Sequence, residues 1–345
     1  MEFVPSEANL LHAYGVPRNI LVEFRLLSKP CSVIRDVTVS TIEKLNRASN
    51  LSSEASRLVL TGPRGCGKSM LLLQAVQHCA ANSWIVLYIP RAISLVNSST
   101  PYVYDARTRT YVQPAYSREL LRRFEQINSA ALSGLTTLKD FSHGKATFAA
   151  GTPLSRIIKY ALDSETAAPG VLEEVLSVVG SQKKTPVLLA IDDFQALYRH
   201  TSLYRDPRFE GIKPYHLSIP RLLLQYASGR RKFERGAILG ALSGSDTTFT
   251  LPLELREVLR LPHDRPAGPY VKRRREIEEY AHGLQNIPVP ASLQLDEAAS
   301  LYQVWRRDVA IHSPYNDDVF MTTYTQSSGN ARDFVWKGLL GSFTL

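Results

Sequence analysis

The chain has 345 residues, 44% of them hydrophobic, and its 41 Lys and Arg against 32 Asp and Glu leave a formal charge of +9. At roughly 100–200 residues per domain, that length allows one large or two modest domains around a real core and excludes global disorder. No window approaches the ~18 consecutive apolar residues of a membrane-spanning helix, so no membrane span is expected; Cys31, Cys66 and Cys79 suit neither a zinc site nor a disulfide framework.

Residues 1–52 mix Pro5, Pro17 and Pro30 with short apolar pieces. They read as an N-terminal arm leaning on the body or on a partner, with one short helix from Thr41 to Arg47. Glu2, Glu7 and Glu23 among scattered hydrophobics fit neither a secretory signal nor an Arg-rich, acid-poor transit peptide, so the chain is expected to have lost an address or never to have contained one. From Arg57 the pattern changes. Leu58, Val59 and Leu60 form an apolar run, a glycine-rich turn follows, and Met70 to Ala80 is apolar at helical spacing. Trp84 to Ile89, Val187 to Ile191 and Ala237 to Leu242 are three further buried-strand candidates. Helical patterns fall between them at Ser117 to Ile127, Leu154 to Leu162, Val171 to Val179 and Ile219 to Ala227. This alternation predicts an α/β core over residues 53–252, a mostly parallel sheet with helices on both faces. Around residues 97–153 the period weakens, and Tyr102, Tyr104, Tyr111 and Tyr116 interleave with Arg107, Arg109 and Arg118, as in an insertion with a polar surface. Beyond Pro252 the strands stop. Helices over Tyr270 to His282, Asp296 to Arg307 and Asn330 to Leu340 predict a C-terminal helical domain over residues 253–345.

Gly62-Pro63-Arg64-Gly65-Cys66-Gly67-Lys68-Ser69 is a full match to the phosphate-loop pattern G-x-x-x-x-G-K-[ST], set between a strand and a helix as that chemistry requires. Gly62, Gly65 and Gly67 let backbone N–H groups converge on phosphate oxygens, and the helix entered through Lys68, Ser69 and Met70 adds its positive end. Lys68 is expected on the β and γ phosphates and Ser69 on Mg²⁺. Asp192, following the apolar run from Val187, is the expected Walker B carboxylate holding Mg²⁺ through water, with a helix N-cap as the plain alternative. Asp193 stands where many ATP-hydrolysing members of the superfamily carry Glu, and its shorter side chain puts fast hydrolysis in doubt. Ser243 and Ser245 are phosphate-sensor candidates or an ordinary turn. Arg332 either reaches back to phosphate or lies on the surface. No N-K-x-D motif is present, so GTP, GDP and ATP stay open.

Three basic runs hold much of the positive excess: Arg122-Arg123, Arg230-Arg231-Lys232 with Arg235, and Lys272-Arg273-Arg274-Arg275. Each is a phosphate-contacting surface for RNA or DNA, or a solvated face. The Tyr and Arg run either stacks on unpaired bases or packs on its own domain.

The loop with Gln74 and His78-Cys79, together with Trp84 to Pro90, Leu188 to Leu197 and Gly236 to Ser245, resembles the death-associated protein family, GTP-binding proteins of the mitochondrial small ribosomal subunit, in particular its fungal members. The resemblance implies a P-loop fold of AAA+ type with a C-terminal helical lid, guanine nucleotide with Mg²⁺, and a place in the mitochondrial matrix in the head of the small subunit. It further implies contacts with neighbouring ribosomal proteins, with rRNA as a further candidate, and with the large subunit at inter-subunit bridges. The leading expectation is a structural ribosomal protein whose GTP or GDP stabilises fold and interface and is hydrolysed very slowly or not at all. The alternative is an active AAA+-like ATPase remodelling a nucleic-acid or protein partner, with a small-molecule kinase a weaker third.

Overall fold

The computed structural model describes residues 1–3, 10–143, 146–262, 268, 270–308 and 316–341. Pro5 and Glu7 of the arm fall outside these. In chain order the arm forms α1 (Leu10–Tyr14), α2 (Arg18–Leu26) and α3 (Asp36–Ala48). There follow β1 (Arg57–Thr61), α4 (Lys68–Ala81), β2 (Ile85–Ile89), β3 (Val103–Asp105), β4 (Thr110–Val112), α5 (Pro114–Leu132), β5 (Phe141–His143) and β6 (Ala146–Phe148). Next come α6 (Leu154–Asp163), α7 (Ala168–Ser181), β7 (Val187–Ile191), α8 (Ser218–Ala227) and β8 (Gly236–Ala241). The C-terminal part supplies α9 (Leu253–Val258), α10 (Arg275–Ala281), β9 (Gln285–Pro288), α11 (Leu295–Arg307), α12 (Asp317–Gln326) and α13 (Ala331–Asp333), which runs on into a wide π-type turn at Phe334–Leu339.

The central sheet has the order β2-β7-β8-β1-β9, and every pairing is parallel. The predicted mixed α/β architecture therefore stands. Strands β1, β2, β7 and β8 are buried along their whole length, because helices cover both faces, and this is why their sequences are unbroken apolar runs rather than alternating ones. The outer edge of β2 is closed by side chains. Asn128 of α5 accepts from the Val86 N–H at 2.8 Å and donates to the Val86 carbonyl at 3.0 Å, and the Tyr14 hydroxyl donates to the same carbonyl at 2.8 Å. An edge capped in this way offers no free ladder to another chain.

Several elements differ from the sequence expectation: the helix expected over Tyr270 to His282 begins only at Arg275, the stretch around residues 97–153 holds the hairpins β3–β4 and β5–β6, and the arm, β9 and α12 depart as follows. The arm is mostly helical: Thr41 to Arg47 is the interior of the 13-residue α3, and α2 was not anticipated. Val37, Thr38 and Val39 are β-branched and weak helix formers, but the Thr38 hydroxyl accepts the Arg35 N–H at 3.2 Å and starts the helix two residues before them. Strands do not stop at Pro252, because β9 adds to β1 with Leu58 opposite Gln285 and Leu60 opposite Ile287. Its residues Gln285, Asn286 and Pro288 hide it; an edge strand tolerates polar side chains and proline. Finally, α12 buries none of its residues, so no apolar stripe announces it.

The arm does lean on the body. Phe3, Leu10, Tyr14, Ile20 and Phe24 enter the main core. A second, smaller core joins Leu27 of the arm to Leu293, Ala298, Tyr302, Trp305, Phe334, Val335 and Leu339 of the C-terminal part. The two ends of the chain are thus packed against each other over the carboxyl ends of the sheet strands, where ligands bind in open parallel sheets.

Candidate functional site

The loop between β1 and α4 departs from ordinary backbone at its glycines. Gly62 has φ +142° and Gly65 φ +83°; a Cβ on Gly62 would lie 2.7 Å from the Val289 carbonyl oxygen, and one on Gly65 would run into Asn330. Both positions therefore require glycine twice over, by conformation and by crowding. Gly67 caps α4 in the left-handed region, so the helix begins at Lys68 with its free N–H groups turned to the loop.

Lys68 is buried, and its ammonium donates to the carbonyls of Gly62 at 2.8 Å and Pro63 at 2.6 Å. Cys66 is buried behind the loop with its sulfur 3.6 Å from that ammonium. Asp192, at the tip of β7, is 3% exposed and accepts the Asp193 N–H at 2.9 Å. Burial and the neighbouring Asp193 push its carboxyl well above the usual range, partly offset by a hydrogen bond from Ser69 and the charge of Lys68. A buried carboxylate facing a serine hydroxyl is a hard-oxygen donor set, and these residues fit a Mg²⁺ that keeps water and phosphate as its other ligands. Among the described residues no group of three or more His, Cys, Asp or Glu gathers as a metal site of another kind.

Asp193 sits in the left-handed region at φ +54° and faces another way: burial raises its carboxyl, while a hydrogen bond from Ser243 and the charge of Arg91 lower it. The Ser243 hydroxyl also accepts the Ser245 N–H at 3.3 Å, and the Ser243 main chain is held from both sides by Gln195 at 2.8 and 3.0 Å. Ser243 is therefore fixed beside the site in a turn held by Gln195.

The loop is gripped from both chain ends. Arg35 of the arm donates to the Cys66 carbonyl at 2.8 Å, pairs with Glu297 of α11 at 3.0 Å and reaches the Ser292 carbonyl at 3.2 Å. From the C-terminal part, the Asn330 side chain donates to the Arg64 carbonyl at 2.9 Å and the Arg332 N–H to the Gly65 carbonyl at 3.0 Å. Gln74 of α4 holds the arm as well, donating to the Ser32 hydroxyl and the Val33 carbonyl at 2.8 Å each and accepting from Thr38 at 2.9 Å.

These elements enclose a cavity of about 490 Å³, within the range of small-ligand sites. Arg64, Gly65, Gly67, Lys68, Ser69, Met70, Asp192, Asp193, Ser243 and Arg332 line it, so the predicted site residues converge, while Gly62, Pro63 and Cys66 form the loop behind. Sequence reasoning missed Arg35 and Glu23. Glu23 of α2 lines the same cavity and accepts the Trp336 indole N–H at 2.7 Å; burial raises its carboxyl. Both lie in the arm, far from the loop in sequence, and no local pattern marks them.

The basic runs are largely neutralised within the chain. Arg122 and Arg123 share Glu119, Arg230 and Arg275 share Glu279, Arg231 pairs with Glu173, Lys232 with Glu234 and Arg273 with Glu257. Arg235 spends its guanidinium on the carbonyls of Ser49, Lys183 and Lys184. In the tyrosine run, Tyr102 packs on Tyr204 and Tyr111, Tyr116 meets Ser94, and Arg118 pairs with Glu165, so this segment packs mainly on its own domain, with Tyr104 left exposed. No helix among the described residues is long and apolar enough to cross a membrane.

A profile of the family described as Mitochondrial ribosomal death-associated protein 3 matches residues 32–336. The chain is 29% identical over 233 residues to the small ribosomal subunit protein mS29 of Neurospora crassa, covering 67% of this chain and 49% of that protein. Against the protein of the same name from Schizosaccharomyces pombe it is 27% identical over 271 residues, 76% of this chain and 56% of the relative. Against that of Mus musculus it is 25% identical over 241 residues, 68% and 61%. The chain thus spans roughly half to three fifths of the length of the curated relatives it matches.

Proposed function

Since the chain belongs to the mitochondrial ribosomal death-associated protein 3 family, we propose that it is a structural constituent of the mitochondrial small ribosomal subunit that binds a guanine nucleotide with Mg²⁺ in the loop from Gly62 to Ser69. Its place is then the mitochondrial ribosome in the matrix, among small-subunit proteins and rRNA, with contacts to the large subunit across inter-subunit bridges.

The observation that carries the nucleotide reading is the convergence of Lys68, Ser69 and Asp192 at one end of a cavity closed by both chain ends. Lys68 would hold phosphate oxygens in place of the Gly62 and Pro63 carbonyls, and Ser69 and Asp192 would hold Mg²⁺. The metal supplies charge neutralisation of the polyphosphate. The sheet order, with β8 between β1 and β7, and the contact of Asn330 and Arg332 with the loop support a P-loop fold of AAA+ type with a helical lid. Asp193 is engaged with Ser243 rather than with Ser69, so it is not aligned as a base beside Ser69 and Asp192, and we expect hydrolysis to be absent or very slow.

The nucleotide then acts as a clamp. Ligand bound only to the folded state adds RT ln(1 + [L]/Kd), about 3 kcal/mol at a hundredfold excess. Lys68→Ala should abolish the rise in melting temperature that GTP and Mg²⁺ give the unaltered chain, and should reduce its co-sedimentation with the small subunit in high salt, where loosely held passengers are screened off. An unaltered chain whose melting does not respond to any nucleotide would overturn the nucleotide reading. Release of that chain from the subunit in high salt would overturn the structural one.

A further inference from the structure

The cavity has two unlike ends. Lys68, Ser69 and Asp192 make one end. The other lies between α2 and the C-terminal helices, with apolar walls from Ile20, Leu27, Leu301, Val304 and Val335. Of the polar side chains that α2 brings to this wall, Arg18, Asn19 and Glu23, the last two stand four residues apart and therefore on one helix face. The Glu23 carboxylate is fixed in place: Oε1 accepts the Trp336 indole N–H at 2.7 Å, and Oε2 takes no hydrogen bond from the described residues. Asn19 makes no side-chain hydrogen bond there either.

We propose that Glu23 and Asn19 are the base-reading pair of this cavity and that they select guanine. This rests on the reading that the loop holds a nucleotide, and adds which atoms choose the base.

Donors and acceptors on the edge of the base decide which one fits. A flat, largely apolar heterocycle fits between the aliphatic walls, and what distinguishes one from another is the pattern on its edge. Guanine presents two adjacent N–H donors, N1–H and the 2-amino group, which a carboxylate accepts as a pair through charge-assisted bonds. Adenine presents a lone pair at N1, which a fixed carboxylate repels, so the same residue selects for one base and against the other. Guanine also carries acceptors at O6 and N7, and the Asn19 amide is a donor for one of them. Trp336 fills one lone pair of Oε1 and holds the carboxylate at the wall, so rotation away from adenine is opposed. Burial raises the Glu23 carboxyl, and the Trp336 hydrogen bond and the charge of Arg332 work against that rise in favour of the ionised form. This explains how a chain lacking N-K-x-D discriminates bases: the pair comes from a helix of the arm, not from a loop after the phosphate site.

The test is competition binding of GTP, ATP, ITP and XTP to the full chain and to Glu23→Gln, with Mg²⁺ present. The unaltered chain should prefer GTP over ATP by about a hundredfold or more. It should prefer GTP over ITP, which lacks the 2-amino group, by about tenfold, the worth of one hydrogen bond. In Glu23→Gln the amide oxygen still accepts from Trp336, while its NH₂ now meets the C2 carbonyl of xanthine. GTP should weaken and XTP tighten, each by about tenfold, a switch that a merely structural Glu23 would not produce. If the unaltered chain binds nucleotides but GTP, ITP and ATP compete equally, or if Glu23→Gln keeps the original order, the base-reading assignment falls and the phosphate site stands. If it binds no nucleotide, both fall. Should the variant fail to fold, the GTP to ITP ratio of the unaltered chain decides.

Discussion

A carboxylate that is 3% exposed at the end of a strand is costly to hold ionised, and Asp192 has only Ser69, Lys68 and one backbone N–H to offset the loss of water. Lys68 does not offset it fully, since its ammonium is spent on the carbonyls of Gly62 and Pro63. On the proposed reading the residue is tuned for a cation at the expense of the ligand-free fold. Asp192→Asn keeps the shape and the acceptor for the Asp193 N–H while removing the charge. It should raise the melting temperature of nucleotide-free protein by roughly 2–4 °C, about 1 kcal/mol for a chain of this size, and remove the further rise given by GTP and Mg²⁺. Calorimetry with and without ligand checks both halves. A lower melting temperature without ligand would mean that the carboxylate is needed for the fold itself.

At the scale of elements, the arm and the C-terminal helices act as one clasp through Arg35, whose guanidinium binds the loop, α11 and the Ser292 carbonyl at once. Its side chain is 11% exposed and that of Glu297 12%, so removing one partner strands the other in little water. Arg35→Ala should cost about 2–3 kcal/mol in denaturant unfolding and expose the arm to proteolysis. Arg35→Lys should recover only part, since a point charge does not span three acceptors set in a fan. How much was legible follows from the same elements. Strands β1, β2, β7 and β8 were readable because burial on both faces leaves continuous apolar runs, and the tight loop from Gly62 to Ser69 because its glycines are forced by conformation. Strand β9 was not, since an edge position relaxes the demand for apolar residues. Of the arm's helices only the interior of α3 was, since tertiary packing of Phe24 and Leu45, more than propensity, holds them. Arg35 and Glu23 reach the site through packing between distant segments, and sequence periodicity carries no trace of that.

For the whole molecule, a net charge of +9 says less than its arrangement. The basic runs are anchored on Glu119, Glu173, Glu257 and Glu279, so their cations are partly committed within the chain. Glu119 shows the effect: hydrogen bonds from Arg122 and then Arg123 hold its carboxyl down at about 2. Its folded value lies below the ordinary 4.5, so the stabilisation is complete above pH 4.5 and is lost as the pH falls toward 2. Glu119→Gln should accordingly flatten the fall of melting temperature between about pH 4.5 and 3 and leave the pH 6–8 region unchanged in slope; an unaltered acid limb would show that solvent already screens the pair. One consequence of the double grip on the loop concerns time rather than energy. Arg35 and Gly65 are made early, whereas Asn330 and Arg332 follow only after the intervening sheet strands, at about 5–20 residues per second. The sheet can collapse while the chain is still growing, yet the pocket cannot be completed before the last helix has docked. A ligand that fits only the closed form therefore distinguishes copies that extend through Asn330 and Arg332 from copies cut short before them.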